Sequence, residues 1–418
     1  MSQSRSVASI AVVLLLLTCA LSACGSSDDP PATTAGAASA DAPRGTPLRV
    51  ALIANQTGKL PSGEENSVPV AQAWAKAVNA KGGIAGHPVD VVVADTKGDP
   101  ATATAAVRKV TQDDGIVAAL LFDAGTESVV AKSITAAGLP VIGGMGYAPD
   151  AWGAMPNWLP LTTSIPSIFN MGMTLGKHLG GTRTAMTICA EIAGCGAAAP
   201  VVEKASTTLG MDYAGTFKVA AAAPDFTAEC LKIRDEHVDY VMLGAATADA
   251  ALRVAADCKT QGYTGQWGLF GGAIVPKAMK ANDPGTKLGL VMNSFPWFAD
   301  APPVTAYRDM MKAQGVEESV WGDPHATAAY ATLQLLRKTL DGQEAKLPEQ
   351  LSRKDVIAAY GSVVDETLDG LLPQPVTFHP NKPNAPIDCY WFGSYEAGTF
   401  SDGDLGHPEC DPPSLKTA

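Results

Sequence analysis

Short runs of β-forming residues alternate with alanine-rich helical segments along most of this chain, and this alternation limits the possible folds more than any other feature. The first run, Leu48–Ala54, precedes helical spacing over Val68–Ala80, and the same order recurs as far as Pro140–Ile142. A repeated strand-then-helix order favours parallel strands joined by right-handed crossovers. The sequence therefore predicts an α/β fold with a doubly wound open sheet covered by helices on both faces.

The alternation resumes after a proline-rich interruption, which indicates a second unit of the same kind. Further strands are predicted at Val89–Ala94, Ile116–Phe122, Thr184–Ile188, Ala214–Val219, Val238–Leu243, Leu288–Met292, Pro375–Phe378 and Cys389–Phe392. Further helices are predicted at Ala101–Gln112, Val129–Ala137, Ile168–Leu179, Ala198–Leu209, Thr227–His237, Thr247–Gln261, His325–Leu340 and Arg353–Ser362. Prolines cluster at the junctions Leu159–Pro166 and Phe295–Pro303. About 370 residues exceed what one core usually serves, so we expect two α/β lobes.

The N-terminal segment indicates export and lipid anchoring. Arg5 precedes an apolar run, Ile10–Leu17, that is too short to cross a bilayer, and Leu21-Ser22-Ala23-Cys24 matches the bacterial lipobox. We expect cleavage before Cys24 and lipidation of its thiol; the alternative is an ordinary signal peptide with an incidental cysteine. Residues 1–23 are thus a predicted lipoprotein signal peptide, and residues 24–46 a predicted disordered tether. The expected location is extracytoplasmic, lipid-anchored to the bacterial cell membrane.

Charge and cysteine content restrict the function further. The net charge of −12 comes without a basic stripe, which argues against a nucleic-acid partner. Beyond the signal peptide and Cys24, the cysteines are Cys189, Cys195, Cys230, Cys258, Cys389 and Cys410. An even number outside the cytoplasm favours disulfides, and because the usual zinc-ligand spacings are absent we expect no metal. Many pairings are possible, and pairing between sequence neighbours (189–195, 230–258 and 389–410) is the simplest.

Several segments together carry a family resemblance. Asn79–Gly86 resembles an N-x-x-G-G-I-x-G turn, Asp95–Pro100 a D-x-x-x-D-P element, and Gly138–Ile142 the run into a fourth strand. Trp321–Leu336 is similar to a long helix, and Val376–Phe378 to a return strand. In this order they resemble the leucine/isoleucine/valine-binding branch of the type 1 periplasmic binding proteins. Those proteins bind substrates for ABC transporters, including amino acids.

The resemblance implies a lobe division and a set of ligand contacts. The N-terminal lobe would comprise residues 47–160 and 296–370, and the C-terminal lobe residues 161–295 and 371–410. Three hinge strands near Leu159–Ser164, Val291–Phe295 and Gly370–Gln374 would join them. The expected ligand-binding residues are Gln56, Thr57, Ala124, Gly125, Thr126, Met145, Tyr147, Ala246, Thr247, Phe270, Gly271 and Trp297. A ligand carboxylate would be held at the start of the helix after Thr126, which is alternatively only a helix cap.

The second lobe departs from the amino-acid-binding pattern. Gly244–Thr247 replaces an expected aromatic residue, and Leu269–Gly272 replaces the acidic residue that would hold a ligand ammonium. A free α-amino acid would then need Glu64, Glu65 or Asp123 as its partner. Aromatic residues expected near the cleft (Tyr147, Trp152, Phe270, Trp297, Phe298 and Trp321) favour an apolar or planar ligand. We expect a small carboxylate with an apolar or aromatic body first, and a branched amino acid or its amide next.

The sequence also bears on two other functions, catalysis and signalling. No G-x-S-x-G elbow, H-E-x-x-H pair or G-x-G-x-x-G fingerprint occurs, so we expect neither an enzyme nor a cofactor. A hydrolase is the remote alternative. The serious alternative is a receptor of the same fold that signals to a partner protein instead of delivering a small-molecule ligand to an ABC permease. We expect a monomer, and the sequence does not identify the ligand.

Overall fold

The helices and strands of the described residues follow the segment predicted as a tether. The computed structural model describes residues 43, 45–58, 63–191, 196, 198–344, 347–402 and 407–416. The predicted signal peptide, Cys24 and nearly all of the predicted tether therefore lie outside the described residues. Among the residues described, no helix combines the length and the apolar character needed to cross a bilayer.

The elements follow the predicted alternation. In chain order the strands are β1 Leu48–Ala54, β2 Val89–Asp95, β3 Ile116–Phe122, β4 Val141–Gly144, β5 Arg183–Cys189, β6 Asp212–Val219, β7 Tyr240–Leu243, β8 Gln266–Phe270, β9 Leu288–Met292, β10 Cys389–Glu396, β11 Thr399–Ser401 and β12 Pro408–Cys410. The helices are α1 Ser67–Asn79, α2 Pro100–Gln112, α3 Glu127–Ala136, α4 Ile165–His178, α5 Ala198–Thr208, α6 Thr227–Asp235, α7 Ala248–Thr260, α8 Pro276–Ala281, α9 Pro302–Ala313, α10 Glu318–Trp321, α11 Pro324–Asp341, α12 Arg353–Tyr360 and α13 Pro413–Lys416.

The first sheet is parallel and has the order β2-β1-β3-β4. Side chains alternate across it: Val50 and Leu52 pack on the side of α1 and α11, whereas Ala51 and Ile53 pack on the side of α2 and α3. Asp99 accepts the Thr102 N–H and begins α2, with Pro100 as its first residue. We call this sheet with its helices the first lobe.

The second sheet has the order β11-β10-β9-β8-β7-β5-β6, with β12 paired to β10. Strands β5 to β9 run parallel, and β10 returns antiparallel to β9. Met186 and Met242 face the cluster that includes α4 and α5, while Ala185, Val241 and Leu243 face the cluster that includes α6 and α7. We call this sheet with its helices the second lobe, and the doubly wound α/β prediction is confirmed for both sheets.

The fold contains elements that the sequence did not predict, and it lacks one strand that the sequence predicted. Strand β8 and helix α9 were not predicted, because β8 has a central glycine and α9 begins with two prolines in a segment that looks like a linker. The strand predicted at Pro375–Phe378 is wrong, since Val376 forms only an isolated bridge with Glu366. Proline at 375 has no N–H to donate, so the ladder does not extend there.

The disulfide predictions are confirmed where both cysteines are described. Cys230 pairs with Cys258 between α6 and α7, and Cys389 pairs with Cys410 between β10 and β12. Cys189 is disulfide-bonded, and its predicted partner Cys195 lies outside the described residues. Asp388 lies beside the 389–410 pair in a grouping of potential metal ligands. Because both sulfurs are in the disulfide, no thiolate remains there for a metal.

Candidate ligand-binding cleft

The carboxyl ends of strands from both sheets meet around Tyr147. This residue follows β4, and its hydroxyl lies 3.5 Å from where a Cβ on Gly272 of the second lobe would be. Asn293, at the end of β9, is 4% exposed and lies beside the Tyr147 hydroxyl. That hydroxyl is buried, and no described group lies at both the distance and the angle of a hydrogen bond to it. In open α/β sheets this edge is where ligands bind, so Tyr147 marks the candidate cleft.

Glu64 lies on the first-lobe side of this cleft, against the loop that follows β3. One carboxylate oxygen accepts the Ala124 N–H at 2.8 Å, and the other accepts from Asn55 Nδ2 at 3.3 Å. The side chain reaches this position because Gly63 turns the chain with φ of +88°, and a Cβ there would lie 2.7 Å from His325 Nδ1. Only glycine fits that turn without strain. Glu64 itself is 4% exposed.

Glu127 occupies a similar position under the loop after β4. As the first residue of α3 it is fully buried, and its carboxyl oxygens accept the N–H groups of Gly146 at 3.1 Å and Ala148 at 2.6 Å. Burial raises the pKa of Glu127 to about 8, against the opposing effect of the Ala148 hydrogen bond. These contacts hold the two residues on either side of Tyr147, so Glu127 fixes the position of the tyrosine.

The predicted carboxylate-binding residue Thr126 is engaged within the protein. Its hydroxyl donates to Asp123 Oδ2 at 2.6 Å, and its N–H donates to the Asp123 carbonyl oxygen. Thr126 is the N-cap residue of α3 by position, but its side chain makes no capping hydrogen bond. Thr126 therefore has the position of the helix cap that was the alternative prediction, but not the side-chain hydrogen bond of one.

A buried acid–imidazole pair lies behind Glu64 at the start of α11. Asp323 caps the helix by accepting the His325 N–H, and the same oxygen lies 2.8 Å from His325 Nδ1. Both side chains are at most 1% exposed. Burial acts to lower the pKa of His325, but the charge and hydrogen bond of Asp323, together with the charges of Glu64 and Glu65, outweigh it and the pKa is raised.

The other predicted ligand residues are dispersed. Met145 is buried under the cleft loop, with its carbonyl oxygen accepting from Thr162, whereas Gly125 is exposed at the end of β3. Gln56 and Thr57 are exposed and donate their N–H groups to Asp95 rather than towards Tyr147.

On the second lobe, a Cβ on Gly271 would lie 2.9 Å from Asn293 Oδ1, and Phe270 packs edge-on to Phe169 at 6.3 Å. Ala246 is half-buried, and Thr247 caps α7 by accepting the Ala250 N–H. The cleft around Tyr147 thus includes Gly271.

Aromatic residues outside this group serve packing. Trp297 is 4% exposed and lies 5.0 Å from Phe400 on β11, with Phe298 stacked against the same ring. Trp152 is 1% exposed and packs edge-on to Trp158 in the first lobe. These rings fill the first lobe and the junction with the second sheet.

Sequence reasoning missed Glu127 and Asn293. An acidic residue in the first turn of a helix is a common partner of the helix dipole, so Glu127 gave no distinct signal. Glu64 was considered only as a substitute partner for a ligand ammonium. Its contact with Ala124 depends on a turn and a register between loops that no local pattern displays.

Comparison with known proteins finds one matching family model and several similar solved structures. A family model described as periplasmic binding protein matches residues 47–403. A solute-binding protein of an ABC transporter from Rhodopseudomonas palustris HaA2, in complex with p-hydroxybenzoic acid, has a TM-score of 0.71 at 15% identity, covering 89% of this chain and 99% of that one. A fatty acid ABC transporter substrate-binding protein from Thermomonospora curvata has a TM-score of 0.70 at 16% identity, with coverages of 89% and 94%.

A leucine-binding protein from Thermotoga maritima has a TM-score of 0.67 at 14% identity, covering 85% of this chain and 97% of that one. No curated protein matches the sequence. At such identities the structural likeness establishes the fold alone, and the three ligands named for these relatives are chemically different from one another.

Proposed function

The chain belongs to the type 1 periplasmic binding proteins, the leucine/isoleucine/valine-binding-like group, and from that premise we propose that it is the substrate-binding protein of an ABC importer. It captures a small organic ligand in the cleft between the two lobes and presents it to a membrane permease. The family binds solutes and does not catalyse reactions. Membership also implies an extracytoplasmic location.

The observation that carries this proposal is the meeting of both lobes at Tyr147. A first-lobe side chain reaches Gly272 and Asn293 across the gap, at the carboxyl ends of both sheets. A ligand held there contacts both lobes at once, and its preference for the closed arrangement drives closure. The proposed ligand contacts are Ala124, Gly125, Met145, Tyr147, Phe270, Gly271 and Gly272.

The remaining parts of the proposal concern anchoring and assembly. Cys24 carries the lipid, and the segment to residue 46 tethers the lobes to the membrane as a monomer. The division into lobes at 160, 295 and 370, with hinges nearby, belongs to the same proposal. Thr163, in the first proposed hinge strand, forms a parallel bridge with Ile387, which lies beyond the third proposed hinge strand at Gly370–Gln374.

Ligand binding by the purified protein tests the proposal. A compound library is screened by thermal shift, since a ligand that binds only the folded state raises the melting temperature. The variant Gly272→Leu places a side chain against Tyr147 and should lose every shift. Gly196→Leu is the matched control, because no atom of a residue that the structure describes lies within 4 Å of a Cβ at that position. Equal shifts in both variants would place the ligand elsewhere and refute the cleft.

A further inference from the structure

A groove on the first lobe, which we call the α11 groove, runs along one face of α11 and has a volume of about 500 Å³. This volume is in the range of small-molecule sites. Its apolar walls come from the first turn of α9, with Pro303 and Ala306, and from Leu368 and Leu371. Leu368 has φ of +49°, a left-handed conformation that residues other than glycine rarely adopt and that is frequent where backbone shapes a ligand site.

Tyr330, on the α11 wall, has a hydroxyl proton that no described group accepts. The indole N–H of Trp74 donates to Gln334 Oε1 at 3.0 Å, and Gln334 Nε2 donates to the Tyr330 oxygen at 2.8 Å. Because an indole N–H can only donate, it fixes the orientation of the Gln334 amide, and the Tyr330 oxygen is the acceptor. The Tyr330 side chain is 2% exposed. Its own O–H is therefore a buried donor that remains available.

Arg337 supplies a second donor close to this hydroxyl. Burial raises the pKa of Tyr330 to about 12, and the Gln334 hydrogen bond and the charge of Arg337 act in the opposite direction. Among the described residues, the guanidinium of Arg337 has one hydrogen-bond partner, Asp341, whose Oδ2 accepts from Nε at 3.1 Å. The terminal nitrogens of Arg337 thus keep N–H groups for a ligand, and their planar arrangement matches a carboxylate.

The other charged groups of the α11 groove limit the charge of its ligand. Lys338 Nζ lies 2.8 Å from Glu366 Oε1, and the second oxygen of Asp341 accepts the Ala85 N–H at 2.7 Å. These groups are therefore engaged within the protein. Asp369, on the wall formed by the turn after α12, is exposed and adds a negative charge. A second anionic group on a ligand would be repelled by it, so the groove fits a single carboxylate.

The α11 groove is separate from the cleft. The contacts of α11 near the cleft are at its start, where His325 lies behind Glu64. At about 1.5 Å of rise per residue, Arg337 is roughly 18 Å further along the helix axis. A ligand in the α11 groove therefore does not occupy the site around Tyr147.

We propose that the α11 groove is a second binding site of this protein, for a monocarboxylate with a short apolar body. The carboxylate accepts from the terminal nitrogens of Arg337 and from the Tyr330 O–H, and the apolar body lies against Pro303, Leu368 and Leu371. So few polar contacts in a groove open to water correspond to a dissociation constant of about a millimolar. A ligand screen at micromolar concentrations therefore reports on the cleft alone.

Isothermal titration calorimetry at millimolar ligand tests the inference with hexanoate and its neutral analogue hexanamide. The titrations use Gly272→Leu, in which the cleft is blocked. Hexanoate should bind with one equivalent per chain, at least about tenfold more tightly than hexanamide. Adding Arg337→Gln should weaken hexanoate binding at least about tenfold, and adding Tyr330→Phe about fivefold.

Arg108→Gln is the matched control. Arg108 is exposed on α2, on the other side of the sheet from α11, and its replacement removes the same charge from the same lobe. It should leave hexanoate binding unchanged. The two arginine variants are also compared in the parent chain, so that the test does not depend on the folding of Gly272→Leu.

The results are independent of the proposed function of the cleft. If hexanoate fails to bind the folded Gly272→Leu protein at millimolar concentrations, the second site is overturned while the cleft keeps its own test. If Arg337→Gln and Arg108→Gln bind hexanoate equally, whether weakened or not, the α11 groove is not the place of binding and the inference is also overturned. Equal affinity for hexanoate and hexanamide would overturn the carboxylate assignment.

Discussion

The buried carboxyl group of Glu127 should make the stability of the protein depend on pH in an identifiable way. Its pKa is raised from 4.5 to about 8 by burial, and its side chain is fully buried. Between these two values the folded state binds one proton more than the unfolded state does. The free energy of unfolding therefore falls as pH rises through this interval, by about 1.4 kcal/mol per pH unit from this group. Above about pH 8 the contribution levels off.

Glu127→Gln isolates this contribution. Glutamine keeps an acceptor for one of the two backbone N–H groups and has almost the same shape, but it does not ionise. Other titrating groups act equally in both proteins and cancel in the difference. Relative to the parent, the variant should gain roughly 4 kcal/mol between pH 4.5 and pH 8, the interval set by the raised pKa. Urea denaturation at a series of pH values measures this difference.

Glu366→Gln is the matched control because its shift has the opposite sign. Burial acts to raise the pKa of Glu366, but the hydrogen bond and charge of Lys338 together with the backbone hydrogen bonds from Thr367 and Leu368 outweigh it, and the pKa is lowered. Its contribution to stability is therefore present near neutral pH and is lost as pH falls through the folded-state pKa, so this variant should converge with the parent in acid. Parallel stability curves for the parent and Glu127→Gln across the interval would refute the reasoning about Glu127.

Three further predictions concern stability. Arg353 donates to four backbone carbonyl oxygens at the ends of α2 and α3 and at the start of β3. Arg353→Met should therefore lower the free energy of unfolding by about 3 kcal/mol in urea denaturation, and Arg353→Lys should recover only part of that loss. An unchanged denaturation midpoint would contradict this. Gly63→Ala should lower the free energy of unfolding by about 2 kcal/mol, because φ is +88° and the new Cβ would lie 2.7 Å from His325 Nδ1. An unchanged melting temperature would show that alanine fits the turn without strain. Replacing Cys389 and Cys410 by serine opens a loop of 21 residues and should lower the free energy of unfolding by about 3 kcal/mol. A denaturation curve identical to that of the oxidised parent would contradict this.

Much of the fold was predictable because it depends on periodicity. The strands β1, β3 and β9 have their predicted bounds, since runs such as Ile116–Phe122 are buried on both faces and flanked by turn residues. Helix α9 escaped prediction because prolines in its first turn, which suit a helix start, also suit a linker. Strand β8 depends on Gly268, where a Cβ would lie 1.9 Å from the Tyr240 hydroxyl.

The candidate site was predictable in position but not in chemistry. Parallel strands place Ala124 and Tyr147 at one edge, and the structure has them there. The sequence does not show that the carboxyl oxygens of Glu64 and Glu127 accept hydrogen bonds from the amides of that edge, because the contacts join loops far apart in the chain. The chemistry of this edge therefore depends on hydrogen bonds that only the fold displays.

Small-angle X-ray scattering tests the central claim most directly, which is that two lobes close on a ligand held between them. The radius of gyration is measured without ligand and then with a saturating concentration of a probe whose binding calorimetry has established. Closure predicts a smaller radius of gyration with the bound probe, and no change in Gly272→Leu under the same conditions. An unchanged radius of gyration in the parent protein with the probe fully bound would contradict the account.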